Sequence, residues 1–163
     1  MEFQRARAGI VLGSLVALVV AGCATGQKSM GPADAVAERQ RLMKNVGANW
    51  ADIQNKVKAG NPEGVAVNAE ALSLHAQRIP GLFPEGSLTD KSKAKPDIWQ
   101  KWPEFTAAAK NLENRAGTLR DQAVAKDAAA VTTTVATFGR DACGTCHTPF
   151  RVPPPQQPAA PRT

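Results

Sequence analysis

Two cysteines and a histidine near the C-terminal end of the chain are spaced to hold one cofactor. Cys143 and Cys146 are three residues apart, and His147 follows directly. On one turn of a helix, two thiols at this spacing reach both vinyl groups of a haem and form thioethers, while the next residue is held beneath the iron as a ligand. The segment therefore predicts one covalent haem c, with His147 as the proximal ligand.

Other uses of these residues find less support in the sequence. A thioredoxin-like redox pair needs a βαβ context, and no alternating run of β-branched residues predicts a strand. A zinc site needs a fourth ligand, for which His75 is the remaining candidate once Cys23 is assigned elsewhere. His75 lies off the apolar face of its predicted helix, so we expect a polar surface residue there.

The N-terminal sequence has the features of an export signal. Two arginines precede an apolar stretch over residues 10–20 that is too short to span a bilayer. Small residues then lead to Cys23 in the pattern of a bacterial lipobox, where the cysteine receives lipid and begins the mature chain. We predict a signal peptide over residues 1–22 and lipidation of Cys23, with ordinary cleavage beside an incidental cysteine as the alternative. Ala24 follows the cysteine, which favours the outer membrane over the inner one.

The composition is that of a basic globular protein. The chain has 20 Lys and Arg against 14 Asp and Glu, a formal charge of +6, and 43% of its residues are hydrophobic. Export separates such a protein from nucleic acid, so the charge predicts no nucleic-acid partner. The lysines at alternate positions within residues 91–95 either steer an acidic redox partner or are simply solvated.

Apolar residues recur at helical spacing in four segments, which predicts an all-α protein. The predicted helices cover residues 32–59, 62–79, 97–126 and 128–150. Short turns and one longer loop over residues 80–96 connect them, so we expect an antiparallel four-helix bundle over residues 32–151. Residues 23–31 are predicted to be a linker, and the proline-rich residues 152–163 a disordered tail.

Individual residues indicate where the predicted helices begin and end and which faces pack against the core. Gly60 can adopt the left-handed conformation that ends the first helix, and Asp127 can cap the fourth. Pro103 falls in the first turns of the third helix, where proline does least harm. Residues seven apart are expected to face the core; in the third helix these are Ile98, Phe105, Leu112 and Leu119, together with Trp102, Ala109 and Ala116.

Four stretches together resemble the class II c-type cytochromes, the cytochrome c′ family. The stretches are residues 37–43, 82–84, 95–99 and 143–151, and the resemblance covers about residues 33–151. It implies a four-helix bundle with the haem on its C-terminal helix, as in that family. Members of the family often dimerise through their first two helices, so the resemblance also allows a homodimer.

The resemblance assigns roles to Arg39 and Met43 in the first helix. Arg39 interrupts an apolar seam, and a buried guanidinium needs an anion; the family's matching arginine lies at the haem edge, which implies a haem propionate as its partner. The alternative is a side chain that reaches out to solvent. Met43 is four residues further on, on the same face, and low-spin relatives bind the iron through a first-helix methionine. Met43 is thus the predicted second iron ligand, with core packing as the alternative.

These features predict a monohaem one-electron carrier, rather than an enzyme, tethered on the periplasmic side of a bacterial membrane. Its partners would be redox proteins, whose identity the sequence leaves open. If Met43 does not bind the iron, the alternative is a five-coordinate haem protein that binds nitric oxide or carbon monoxide. A weak peroxidase is less favoured, because no distal general base is evident.

Overall fold

The computed structural model describes residues 30–153 and contains six α-helices in that range. They are α1 (Pro32–Lys58), α2 (Ala66–Arg78), α3 (Asp97–Gln100), α4 (Trp102–Val124), α5 (Ala128–Phe138) and α6 (Thr145–Phe150). Short 3-10 turns cover Glu63–Val65 and Pro80–Leu82, and a π-helical turn over Gly139–Gly144 joins α5 to α6. The predicted signal peptide, Cys23 and most of the predicted linker and tail lie outside the described residues.

The helices form the predicted four-helix bundle, with α1, α2, α4 and the α5–α6 segment as its members. The predicted inner faces are confirmed for α2, where Leu72 and Ala76 are buried, and for α4, where Leu112 and Leu119 are buried. Within residues 30–153 no helix is both long and apolar enough to cross a bilayer. The same part of the chain forms one isolated antiparallel bridge and no strand.

The centre of an aromatic cluster at one end of the bundle is Phe105 of α4, which is almost fully buried. Its ring centroid lies 4.7 Å from that of Phe83, which follows α2, and 5.4 Å from that of Phe150 at the end of α6. Both pairs are edge-to-face, the arrangement that aromatic quadrupoles favour. The cluster therefore joins the long loop, α4 and the last helix to one another.

The predicted third helix is in fact two helices, and this part of the prediction was wrong. Lys101, with φ −120° and ψ 46°, separates α3 from α4, and Pro103 lies in the first turn of α4. In a continuous helix, the ring of Pro103 would clash with the carbonyl four residues earlier, so the chain breaks and starts again. The break turns Trp102 outward: it is 36% exposed rather than buried as predicted.

The predicted fourth helix is helical throughout, but its middle is not an α-helix. Asp127 caps it as predicted, because its side-chain oxygen accepts a hydrogen bond of 2.9 Å from the N–H of Ala130. The π-helical turn Gly139–Gly144 was not predicted, and it contains Cys143, the first cysteine of the haem-attachment motif. Helical periodicity alone does not distinguish a widened turn from a regular one.

The long loop is bound to the end of the last helix by two backbone hydrogen bonds. The N–H of Lys95 donates to the carbonyl of Phe150 at 2.9 Å, and the N–H of Val152 donates to the carbonyl of Lys93 at 2.8 Å. Val152, predicted to begin a disordered tail, is therefore held in place; the prediction set the start of the tail too early. The bridge fixes the loop beside the segment that carries the haem-attachment motif.

Gly60 ends α1 in the left-handed conformation that the sequence predicted, with φ +75°. A Cβ atom at this position would meet nothing within 4 Å, so the backbone alone requires glycine. Gly47, inside α1 and exposed, also has open space around it, but its conformation is helical. Because neither position is crowded, substitutions at the two glycines compare the two backbone conformations.

We predict that Gly60→Ala lowers the free energy of unfolding by about 1 kcal/mol, because an L-residue is strained in this conformation. Gly47→Ala is expected to raise it by about 0.5–1 kcal/mol, since alanine is the better helix former. Denaturant unfolding of both variants, followed by circular dichroism, measures the two changes. Changes of the same sign in the free energy of unfolding would contradict the view that only Gly60 is required by its backbone conformation.

Candidate functional site

One cavity of about 420 Å³ brings together the residues predicted to hold a haem. Arg39 and Met43 of α1 line it from one helix, while Cys143 in the π-helical turn and Cys146 and His147 of α6 line it from another part of the bundle. Its volume is typical of cofactor sites. The fold thus places the first and last helices around one space, as the predicted site requires.

The remaining wall of the cavity is mostly apolar. It comes from α1, the long loop, α3, α4 and the last helix, and includes Leu42, Leu82, Phe83, Ile98, Phe105, Leu112 and Phe150. Side chains of this kind exclude water and suit the faces of a large, flat, apolar ring system. Among the polar and charged side chains that line the cavity are the two cysteines, His147 and Arg39.

The two cysteines are half-buried beside the cavity, and burial changes their ionisation. Burial raises the pKa of the Cys143 thiol, and burial together with the neighbouring Cys143 raises the pKa of the Cys146 thiol to about 11. Both side chains are consequently neutral thiols at physiological pH when no cofactor is attached. Neutral, partly buried thiols that open onto an apolar cavity fit the formation of thioethers with a bound macrocycle.

His147 presents its imidazole at the edge of the cavity. Partial burial, and after it the positive charge of Arg151, lower the pKa of the His147 ring. The ring is therefore neutral at physiological pH, which leaves one nitrogen able to bind a metal ion. A neutral histidine directly after the second cysteine matches the predicted iron ligand in chemistry and in position.

Arg39 is a buried cation with one unsatisfied donor. Only 7% of its surface is exposed, which contradicts the alternative of a side chain that reaches solvent. Its Nη2 donates to the carbonyl of Ser87 at 2.6 Å and its Nε to the carbonyl of Ala35 at 3.2 Å, while the guanidinium lies 4.3 Å from the centre of the Phe83 ring. Nη1 is buried and has no hydrogen-bond partner.

The donor set fits a covalent haem. Two thiols, an imidazole, a thioether and an unsatisfied guanidinium N–H all belong to residues that line one apolar cavity. Arg39 in particular needs an acceptor, since a buried cationic donor without one is costly, and a carboxylate is the strongest acceptor available to it. A haem propionate would supply that group.

A histidine and two tryptophans of the described residues lie outside the cavity wall. His75 does not line the cavity; it is half-buried on α2, less exposed than predicted. Trp50 stacks on Phe138 with ring centroids 4.9 Å apart, and Trp99 donates from its indole nitrogen to the carbonyl of Phe83 at 3.0 Å. These tryptophans support the bundle and the loop, and neither lines the cavity.

Two features of the site were missed from the sequence. Lys44, Lys93 and Arg151 are exposed residues that line the cavity, and we call them the basic rim; no Asp or Glu of residues 30–153 lines the same cavity. Asn111 of α4 contacts the π-helical turn from outside the cavity. The rim includes one of the loop lysines noted in the sequence, whereas no sequence signal marks Asn111.

Comparisons with known proteins find relatives that are cytochromes. A family model described as Cytochrome C′ matches residues 34–151. Cytochrome c-556 from Agrobacterium fabrum is 36% identical over 123 residues, which cover 72% of this chain and 80% of that protein. Cytochrome c′ from Pararhodospirillum photometricum is 32% identical over 116 residues, 69% of this chain and 92% of that protein.

A solved structure with the same fold is the nitric oxide complex of a leucine-to-alanine mutant of cytochrome c prime from Alcaligenes xylosoxidans. It aligns with a TM-score of 0.69 and 21% identity, over 78% of this chain and 100% of the other. At this identity the likeness concerns the fold, and it agrees with the four-helix bundle described above.

We predict that Arg39→Met lowers the reduction potential of the haem by tens of millivolts. Loss of a buried positive charge near a propionate favours the ferric state, which carries the larger positive charge. Arg41→Met is the matched control, because Arg41 is an exposed residue of the same helix, where solvent screens its charge. Redox titration of both variants measures the effect, and equal potentials would contradict the role of Arg39.

Proposed function

Because this chain belongs to the cytochrome c′ family and is a monohaem c-type cytochrome, we propose that it is a one-electron carrier rather than an enzyme. The observation that carries the proposal is the presence of Met43 and His147, from two different helices, on the wall of one cavity. The thioether of Met43 and the imidazole of His147 would both be able to bind one iron. When bound, the haem supplies a redox couple that exchanges one electron.

The residues of the chain have distinct roles in this proposal. Cys143 and Cys146 attach the cofactor, which keeps it on the last helix in both redox states. His147 and Met43 would both bind the iron, so that little rearrangement would accompany a change of its charge. Arg39 offsets the negative charge of a propionate, and a soft thioether ligand favours the ferrous state.

A second candidate function is the binding of a small gas at an open axial position. It is favoured by the structural relative described above, which was solved with nitric oxide bound. Met43 is half-buried rather than fully enclosed in the core, so its side chain could pack beside the iron without binding it. The two candidates differ only in whether this thioether is a ligand.

The surface and the N-terminus support a location and a class of partner. The basic rim places exposed positive charge beside the cavity, which would raise the rate of encounter with an acidic redox protein. The predicted export signal and lipidated Cys23 would place the protein on the periplasmic side of a membrane, where haem c is attached. The choice of outer over inner membrane, and a homodimer as in other family members, are expectations from the sequence.

We predict that Met43→Ala converts a six-coordinate, low-spin haem into a five-coordinate, high-spin one. Removal of the thioether leaves the sixth position open, so the reduced variant should bind carbon monoxide and its reduction potential should fall. Ferric and ferrous absorption spectra, with and without carbon monoxide, measure the change.

Met30→Ala is the matched control for this experiment, since Met30 is an exposed residue that does not line the cavity. It should leave the spectrum and the potential unchanged. If the unmodified protein is already high-spin and binds carbon monoxide, and Met43→Ala has no effect, the electron-carrier proposal is wrong and the gas-binding function is supported.

We predict that Cys23→Ser abolishes the incorporation of labelled palmitate and moves the protein from the membrane fraction to the soluble periplasmic fraction. The thiol is the group that receives the lipid, and serine removes it. The variant should keep its full complement of covalent haem, because Cys143 and Cys146 remain. Labelling that persists in this variant would contradict the proposed anchor.

A further inference from the structure

The haem-attachment segment contains a structural irregularity with a specific external partner. Residues Gly139–Gly144 form a π-helical turn, in which each carbonyl bonds the amide five residues ahead instead of four. Where such a turn returns to α-helical spacing in α6, one carbonyl is skipped and has no amide of its own helix to accept from. A carbonyl in this situation needs a donor from outside its own helix.

Asn111 of α4 supplies that donor. Its side-chain nitrogen donates to the backbone carbonyl of Asp141 at 2.6 Å and lies 3.3 Å from the hydroxyl of Thr145, which in turn donates to the carbonyl of Ala142 at 2.8 Å. The amide of Asn111 is half-buried and bonds the turn that contains Cys143. The carbonyl to which Asn111 donates thus lies two residues before Cys143.

Arg115, one turn further along α4, fixes the orientation of this amide. Its Nε donates to the side-chain oxygen of Asn111 at 3.1 Å, so the nitrogen of Asn111 must point to the turn. A second guanidinium nitrogen of Arg115 lies 3.9 Å from the carboxylate of Asp141. The side chains of Asn111, Arg115 and Asp141 therefore connect α4 to the π-helical turn at two points.

The widened turn determines which way the following residues face. One additional residue in a helix rotates everything after it by about 100° around the helix axis. If the turn contracted to α-helical spacing, Cys146 and His147 would be turned away from their present positions on the cavity wall. The geometry of haem attachment consequently depends on keeping this turn wide.

We propose that Asn111 is a positioning residue that keeps the turn Gly139–Gly144 wide and so holds the haem-attachment residues in register with the cavity. Arg115 assists by orienting the amide of Asn111. The proposal depends on the covalent haem and on the fold, but not on whether Met43 binds the iron. Its failure is therefore distinguishable from the failure of the proposed electron-carrier function.

The test compares Asn111→Asp with Asn114→Asp in the haem-loaded protein. Asn111→Asp keeps the shape of the side chain but removes the donor, whereas Asn114 is an exposed residue of the same helix whose replacement makes the same change of charge. Hydrogen exchange of the backbone amides is measured by NMR, and the circular dichroism of the haem Soret band reports the cofactor's surroundings.

In Asn111→Asp, amides within residues 142–147 should exchange at least tenfold faster than in the unmodified protein, those of α2 should be unchanged, and the Soret signal should alter. Asn114→Asp should match the unmodified protein. Two results would overturn the proposal: identical behaviour of the two variants, or equal acceleration of exchange throughout the bundle, which indicates general destabilisation. If Asn111→Asp is not recovered with haem, Arg115→Met replaces it. Amide exchange in residues 142–147 should then be accelerated less than is expected for Asn111→Asp. Unchanged exchange in that segment would contradict the proposal.

Discussion

The aromatic contacts of Phe105 are the packing on which the site depends. This ring, buried within α4, touches Phe83 from the loop and Phe150 from the last helix. Both partners also line the cavity, and Phe83 carries the guanidinium of Arg39 over its face. The long loop, α4 and the last helix therefore position one another through these rings. A shift of any of the three would change the shape of the cavity that they line.

Charge in this protein is divided between one interior position and an exposed periphery. Arg39 is shielded from water and lacks a partner for one nitrogen, so its charge acts strongly on whatever occupies the cavity. Lys44, Lys93 and Arg151 are exposed, and salt screens their charges. In the proposed function, the interior cation would influence the electronic state of the cofactor, whereas the basic rim would influence which molecules approach it.

The sequence predicted the bundle and the haem-attachment motif because both follow from local patterns, whereas the roles of Arg39 and Met43 came from the resemblance to a known family. Heptad spacing located the helices, and the motif at Cys143–Gly144–Thr145–Cys146–His147 specified its own chemistry. The break at Lys101 was missed because a proline near a helix start is compatible with a continuous helix as well as with a new one. The π-helical turn and its contact with Asn111 were missed because they depend on pairing between α4 and the last helix, which no local pattern encodes.

The backbone bridge between Lys93 and Val152 joins parts of the chain that are far apart in sequence. Contacts of such long range require a large loss of chain entropy and form after local structure is established. The chain emerges from synthesis with α1 first and α6 last, so the wall that bears Arg39 exists long before its counterpart. The cavity can therefore close only after the segment through Val152 has been synthesised, and a cofactor that both walls enclose would be enclosed after that point.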